Sequence, residues 1–447
     1  MTAGLVTCML ALAACAGAGG RAEVTIPPGG DRSADGLQVG SGVRAAVALD
    51  RAGGVVPVVA ATWRAGFAAL ATSDDPGGAV VSPASLAVAL AMLAEGASGD
   101  SAGTLDAVLG ASGDARTDAV NALTASLARW EGDPAAVRAK HPPKAPMVHL
   151  ANQVVVDDDQ RLAEPYLDRL VTGYGAGVLV TDLSSATGKK DLDAWVNKNT
   201  GGLVKESAIV PDDQLVLVLQ NAIALAARWS TQFEATGTHD VPFTLPSGEQ
   251  VDVSTMHQRG WYAYAEAGGW RGLRLEYAPS AADTNPAGGL HADVILAPEG
   301  SSAAANPAAA DPAAVAALTA ALDTADAHTD VELALPRLDM TTKVDLRSAL
   351  RVMGLGHLLS PDTAGLDGLL VDPPGPPYLG QAWQQAVLQV DEEGTRAAAV
   401  TELGVAAGAA PAQRPVEFLV DRPYLMVVGD SSTDWPLFLA AVADPRP

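Results

Sequence analysis

The sequence predicts an α+β domain, and three stretches predict it. Gln214–Trp229 is the longest strand candidate, and its near-continuous apolar character implies burial on both faces. Ala79–Gly99 holds a helix that is apolar nearly all round, which calls for a central, buried position. Between the strand-like runs Gln385–Val390 and Val416–Val420 lies a connection with no side chain larger than valine on an apolar position except Leu403. So long a connection inside a compact domain is uncommon and usually has a task.

Composition limits that task. The chain has 447 residues and is 48% hydrophobic, enough for a large core. Its formal net charge of −24 argues against nucleic acid as a partner, because phosphate binding needs clustered lysine and arginine. The two cysteines, Cys8 and Cys15, both lie at the start, so the folded part has neither disulfide nor thiolate metal site. The seven histidines are scattered without ligand spacing, and no metal or other cofactor is expected. There is no serine-hydrolase elbow, no G-x-G-x-x-G loop and no carboxylate pair with a task, so the chain is not read as an enzyme.

In chain order, Ala3–Ala18 is apolar and uncharged but short for a membrane span, and it contains Leu12-Ala-Ala-Cys15. This box fits residues 1–15 as a lipoprotein signal, with Cys15 as the lipidated residue and a cell-surface, lipid-anchored product. The positively charged start of a signal peptide is missing, and a plain secretory signal with an incidental cysteine is the alternative. Residues 16–54, rich in Gly and Ala with Pro27-Pro-Gly-Gly30, read as a tether, and 55–447 as the folded domain. Trp63, Phe67 and Leu70 recur at helical spacing in Val55–Thr72. Ser82 as N-cap with Pro83 at the first helical position opens the next helix, and Gly96 closes it.

Ala145–Asp157 reads as a strand, and the preceding Trp130–Lys144 as a surface insertion. Asp191–Leu203 is a short amphipathic helix with a glycine stop. Gly260–Leu296 gives several short strands of a second antiparallel sheet, with turns at Gly268-Gly269 and Gly288-Gly289. A helix is expected after Asp311-Pro312, then a strand over Val331–Thr341 and a helix from Asp345. Strands over Val416–Val420, Tyr424–Val428 and Leu437–Ala440 complete the domain.

Within the long connection, strand periodicity puts Thr395, Ala397, Ala399, Thr401 and Leu403 on one uncharged face. Arg396, Ala398, Val400 and Glu402 occupy the other face, and Gly394 precedes them where a hinge could turn. Such a segment can be a loop in one state and a strand in another; taken alone it also fits an exposed Ala-rich helix or linker.

Glu392-Glu-Gly-Thr-Arg-Ala-Ala-Ala399, followed by Phe418 and Asp421-Arg-Pro-Tyr424, resembles the reactive-loop hinge and C-terminal signature of the serpins. The likeness continues in Ser82-Pro-Ala-Ser85, Ala151-Asn152, Trp195, Val196, Thr200 and Gly202, and in Trp229 with Phe233. It implies a large mixed central sheet with two further sheets, eight or nine helices and an exposed reactive loop. It implies a polar cluster beneath the sheet at Ser82, Ser85 and Asn221, completed by Gln384 where the family usually has His. The hinge would comprise Glu392, Glu393, Gly394, Thr395, Ala397, Ala398, Ala399 and Thr401.

The implied function is inhibition of an endopeptidase, of the serine or the cysteine type, by a monomer that is cut, traps the acyl-enzyme and inserts its loop. Counting from Gly394 puts the scissile bond at Gly408–Ala409, in a window of Val405, Ala406, Ala407 and Ala410. These small residues suit elastase- or subtilisin-like enzymes. Arg414 would suit a trypsin-like enzyme but lies further from the hinge. A non-inhibitory binding scaffold or surface lipoprotein is the rival reading.

Overall fold

In a computed structural model of the chain, the described residues are 37–38, 44, 46–279, 289–325, 329–395 and 414–446. In order they form β1 (Leu37–Gln38), α1 (Val55–Leu70), β2 (Gly78–Val81), α2 (Pro83–Ala94), α3 (Gly99–Leu109), α4 (Gly113–Ser126) and β3 (Met147–Val156). Next come α5 (Glu164–Arg169), β4 (Gly177–Val180), α6 (Ala186–Asn199), β5 (Leu217–Arg228), β6 (His239–Thr244), β7 (Gln250–Ala267), β8 (Trp270–Glu276) and β9 (Leu290–Leu296). Then follow α7 (Ser302–Ala305), α8 (Pro312–Thr324), β10 (Thr329–Pro336), β11 (Leu338–Asp345) and α9 (Leu346–Val352). The last strands are β12 (Trp383–Asp391), β13 (Gly394–Thr395), β14 (Val416–Leu419), β15 (Tyr424–Asp430) and β16 (Trp435–Val442).

The first sheet is mixed and seven-stranded, in the order β1-β4-β3-β5-β13-β12-β11. The second runs β14-β10-β7-β8-β9-β15-β16-β2, with β6 also on β7. The two further sheets of the sequence reading are thus continuous. They share β7, which pairs with β6 and β10 over its first part and with β8 over Ala263–Ala267. β7 is one strand of 18 residues where short strands were expected. Its chain does turn at Gly268 and Gly269, both at positive φ, where a side chain would be strained. Leu335-Pro336 and Leu338 likewise belong to different sheets: the chain crosses from one to the other at Arg337.

α2 lies between the sheets, against β5 and β16, and of its residues only Ala89, with Glu95 just past its end, escapes full burial. Ser82 caps it as expected, its Oγ accepting from the Ser85 N–H at 3.2 Å. β5 departs from the expectation of two buried faces. Ala224 to Ala227 are buried without a break, but Leu217, Leu219, Asn221 and Ile223 are only half-buried, because they border an open cleft. Trp130–Lys144 is also more than a surface insertion. Trp130 and Val137 are buried, and Val137 packs with Met147, Ala224 and Ala226, so the insertion covers the outer face of β3 and β5.

Candidate functional site

The site is a seam in the first sheet. β5 and β12 are parallel to one another and, among the described residues, share no ladder rung. Only β13 stands between them, antiparallel to both: Thr395 is opposite Ala227 on one side and Val390 on the other, Gly394 opposite Arg228 and Asp391. β12 therefore folds back on itself through Glu392-Glu393 and delivers two residues into the seam. Below them the strands diverge around a cavity of about 460 Å³. Its walls include Leu219 to Leu225 of β5, Gln384 to Leu388 of β12, and Ser82 and Ser85 of α2.

Both residues of β13 are fitted to this place. A Cβ on Gly394 would lie 2.1 Å from the Ala227 carbonyl oxygen and 2.8 Å from the Arg228 Cα, so the requirement is close backbone approach rather than positive φ. Gly394→Ala is expected to expel β13 and cost about 2 kcal/mol, read by chemical denaturation. A stability equal to that of the parent would mean that the seam has slack here. Thr395 is buried, and its hydroxyl shares a hydrogen bond with the Tyr277 hydroxyl, whose ring stacks on Trp229 with centroids 4.6 Å apart.

The Glu392-Glu393 turn is tied down by residues from three distant stretches of the chain. The Trp229 backbone N–H donates to the Glu393 carbonyl at 2.8 Å, and its indole Nε1 donates to the Asp391 carbonyl at 2.9 Å. Phe233 N–H donates to the Glu392 carbonyl at 2.9 Å. The Glu392 carboxylate accepts from the Thr238 hydroxyl and from Arg337 Nε at 2.9 Å. His141, from the insertion, places Nδ1 3.3 Å from the Glu393 carboxylate. Burial alone would raise the Glu392 carboxyl, but Thr238 and Arg337 hold it below the usual glutamate range.

Asp391 goes the other way. Burial, helped by the charge of Glu392, pushes its carboxyl up to about 6. A carboxyl raised on folding stabilises most when protonated: the contribution is complete below about pH 4 and is lost as pH rises through about 6. Asp391→Asn keeps an acceptor for the Glu393 N–H, which Asp391 Oδ1 meets at 3.0 Å. It is expected to stabilise the fold at pH 8 by on the order of 1 kcal/mol, after discounting for solvent screening, with no gain at pH 4. Melting curves at the two pH values check this, and parallel curves for both proteins would acquit Asp391.

The predicted polar cluster is only partly assembled. Gln384 brackets Ser82: its Oε1 accepts from the Ser82 N–H at 3.0 Å, and its Nε2 donates to the Ser82 carbonyl at 2.8 Å. An amide can do both at once, which an imidazole at the same place cannot. Ser85 joins through its N–H. Asn221 does not join; its Nδ2 donates to Asn152 Oδ1 across the β3–β5 ladder, and its own Oδ1 is buried without a partner. Ala397, Ala398, Ala399, Thr401, the window Val405–Ala410 with Gly408 and Ala409, and Cys15 lie outside the described residues. Arg414 is described and exposed.

A family model described as serpin (serine protease inhibitor) matches residues 65–445. The chain belongs to the serpin family. Among curated relatives, Iris of Ixodes ricinus is 26% identical over 379 residues, covering 83% of this chain and 93% of its own. Serpin-Z7 of Hordeum vulgare is 26% identical over 390 residues, covering 84% and 93%. The native-state crystal structure of the thermophilic serpin tengpin superposes with a TM-score of 0.70 at 22% identity, over 86% of this chain and 93% of that one, a likeness of fold. Serpins are typically protease inhibitors rather than enzymes, and are commonly secreted or extracellular.

Thr238, Arg337, His141 and Tyr277 escaped the sequence reading of this serpin's hinge. Trp229 and Asn152 stand out in the sequence as motif residues, but nothing there marks them as partners of the hinge and of Asn221. Nothing in local spacing marks Thr238 or His141. Arg337 carries a faint signal, being a lone cation where an apolar strand breaks after proline.

Proposed function

We propose that this serpin inhibits serine-type endopeptidases, elastase- or subtilisin-like ones, by trapping them after cleavage at Gly408–Ala409. The observation that carries the reading is β13, a two-residue start of a strand held between two strands that do not pair with each other. The protease serine Oγ attacks the Gly408 carbonyl, the peptide bond to Ala409 breaks, and a new amine leaves on Ala409. Gly408 is then esterified to the protease, and the freed segment continues β13 down the seam.

The register of β13 states where each residue would arrive. Continued without a bulge, Ala397 comes opposite Leu225 and Leu388, and Ala399 opposite Ile223 and Ala386. Small side chains suit rungs above a buried helix. Thr401 comes between Asn221 and Gln384, where a hydroxyl could satisfy the orphaned Asn221 Oδ1. About fourteen residues at roughly 3.3 Å each carry the ester some 46 Å, far enough to drag the protease across the molecule.

The test is incubation with elastase, subtilisin and trypsin, then denaturing electrophoresis. A covalent adduct with one of the first two is expected. Cleavage in the window without any adduct would replace inhibition by a non-inhibitory scaffold. We further propose, from the Leu12-Ala-Ala-Cys15 box, that a lipid on Cys15 holds the protein at the cell surface. Cys15→Ser is expected to move it from the membrane fraction to the medium, and an unchanged distribution would remove the anchor.

A further inference from the structure

His149 stands on the outer face of β3, where three parts of the chain meet. Its Nδ1 lies 2.5 Å from the carboxylate of Glu131, which belongs to the 130–144 insertion. Its Nε2 lies 3.0 Å from Asn199 Oδ1, at the C-terminal end of α6. A carboxylate only accepts hydrogen bonds. The Asn199 amide is fixed as well, because its Nδ2 donates to the Trp195 carbonyl at 2.9 Å. Each ring nitrogen therefore faces an acceptor, and both bonds exist only when the ring carries two protons. A neutral ring would set a lone pair against one of the two oxygens. The carboxylate has the stronger claim on the proton that stays, so the contact given up is the one to α6.

The position of α6 gives that contact a consequence. Leu192 packs with Val155 and Val218, and Trp195, Val196 and Thr200 line the cavity between β5 and β12. Beyond Asn199 the chain runs so close to the insertion that a Cβ on Gly201 would lie 2.0 Å from the Pro134 carbonyl oxygen. The far end of the insertion brings His141 to Glu393 of the hinge. His149 thus joins the sheet, the helix beside the seam and the segment that reaches the hinge. The charged groups acting on its ring are Glu131 and Asp133, both from the insertion; α6 brings the Asn199 amide, and Ala224 of β5 stands opposite in the ladder. The bond to Glu131 raises the ring above the usual histidine range, against the opposing effect of burial. A histidine raised on folding stabilises while protonated: the contribution is complete below about pH 6.5 and is lost as pH rises through the higher folded value.

We propose that His149 is a pH-sensitive clamp, shut while its ring is charged, that fastens α6 and the insertion to the sheet beside the seam and frees the end of α6 as pH rises. The inference rests on the inhibitory reading only for what an unfastened seam then admits; the clamp itself belongs to the uncleaved chain. The test is hydrogen exchange of the uncleaved protein from pH 6 to pH 9, corrected for the intrinsic exchange rate. Protection of the last-turn amides of α6, residues 196–199, is expected to fall about tenfold over that range, as the loss of one charge-assisted hydrogen bond would make it. His149→Gln can donate one of the two bonds and does not titrate, so its protection should be low and level. Glu131→Gln removes the charge that holds the proton, so its fall should be centred at a lower pH than the parent's. A flat parent profile, or a fall that His149→Gln keeps, overturns the clamp. Should His149→Gln fail to melt cooperatively, Glu131→Gln decides, and an unmoved midpoint overturns. The absence of any protease adduct sinks the trapping mechanism, while the exchange profiles still judge the clamp.

Discussion

Thr395→Arg is expected to turn this serpin from an inhibitor into a substrate. Thr395 is 4% exposed, wedged between Ala227 and Val390 with its hydroxyl on Tyr277. A guanidinium there would be a buried charge in an apolar and aromatic setting, at a cost of about 3–5 kcal/mol. Every further rung must follow this one, so the penalty falls on the whole insertion. A barrier raised by 3 kcal/mol slows insertion more than 100-fold. The protease then hydrolyses its ester before it is displaced. Titration against subtilisin should find the parent consumed near one to one and the variant cut many times per enzyme inactivated. If the variant traps as the parent does, insertion does not pass through Thr395.

Cleavage between Val405 and Ala410 is expected to raise the melting temperature by roughly 10–15 °C. The open seam has ten β5 residues below Ala227, from Leu217 to Ala226. On the order of ten new rungs at about 1 kcal/mol each gives about 10 kcal/mol. With an unfolding entropy of about 2.1 cal/mol/K per residue, a domain of about 390 residues gains about 1 °C per 0.8 kcal/mol. Calorimetry of the intact and nicked forms checks it. An unchanged melt after complete nicking would show that the seam does not fill, and the metastable state that trapping requires would be absent.

How much of this could be read from the sequence depended on the range of the contacts. Ser82 at the start of α2 and Asp345 at the start of α9 cap helices through N–H groups two or three residues away, and local pattern was enough for both. The paired strands followed from apolar runs. The hinge was legible as a small-residue face, but its fastenings were not. Glu392 meets Thr238 and Arg337 across 154 and 55 residues, and His141 meets Glu393 across 252. No periodicity records contacts at such separations. The half-buried side of β5 was misread for a related reason: its leucines and Ile223 look like core, yet they line a cavity that only the topology reveals. Residues 130–144 look like a surface insertion because Pro, Lys and His are prominent there, while the covering is done by Val137 with Ala136 beside it.

The parting of β5 from β12 has a cost in company. Among the described residues, each strand turns amide and carbonyl groups that no neighbour meets toward the gap that β13 enters, and hydrogen-bonding groups do not recognise kinship. A segment from a neighbouring copy, once loosened by heat, would fit the same opening as the molecule's own. Concentrated, warmed samples should therefore link head to tail, and the molecule's working life is set by how long its own segment keeps first claim on the vacancy.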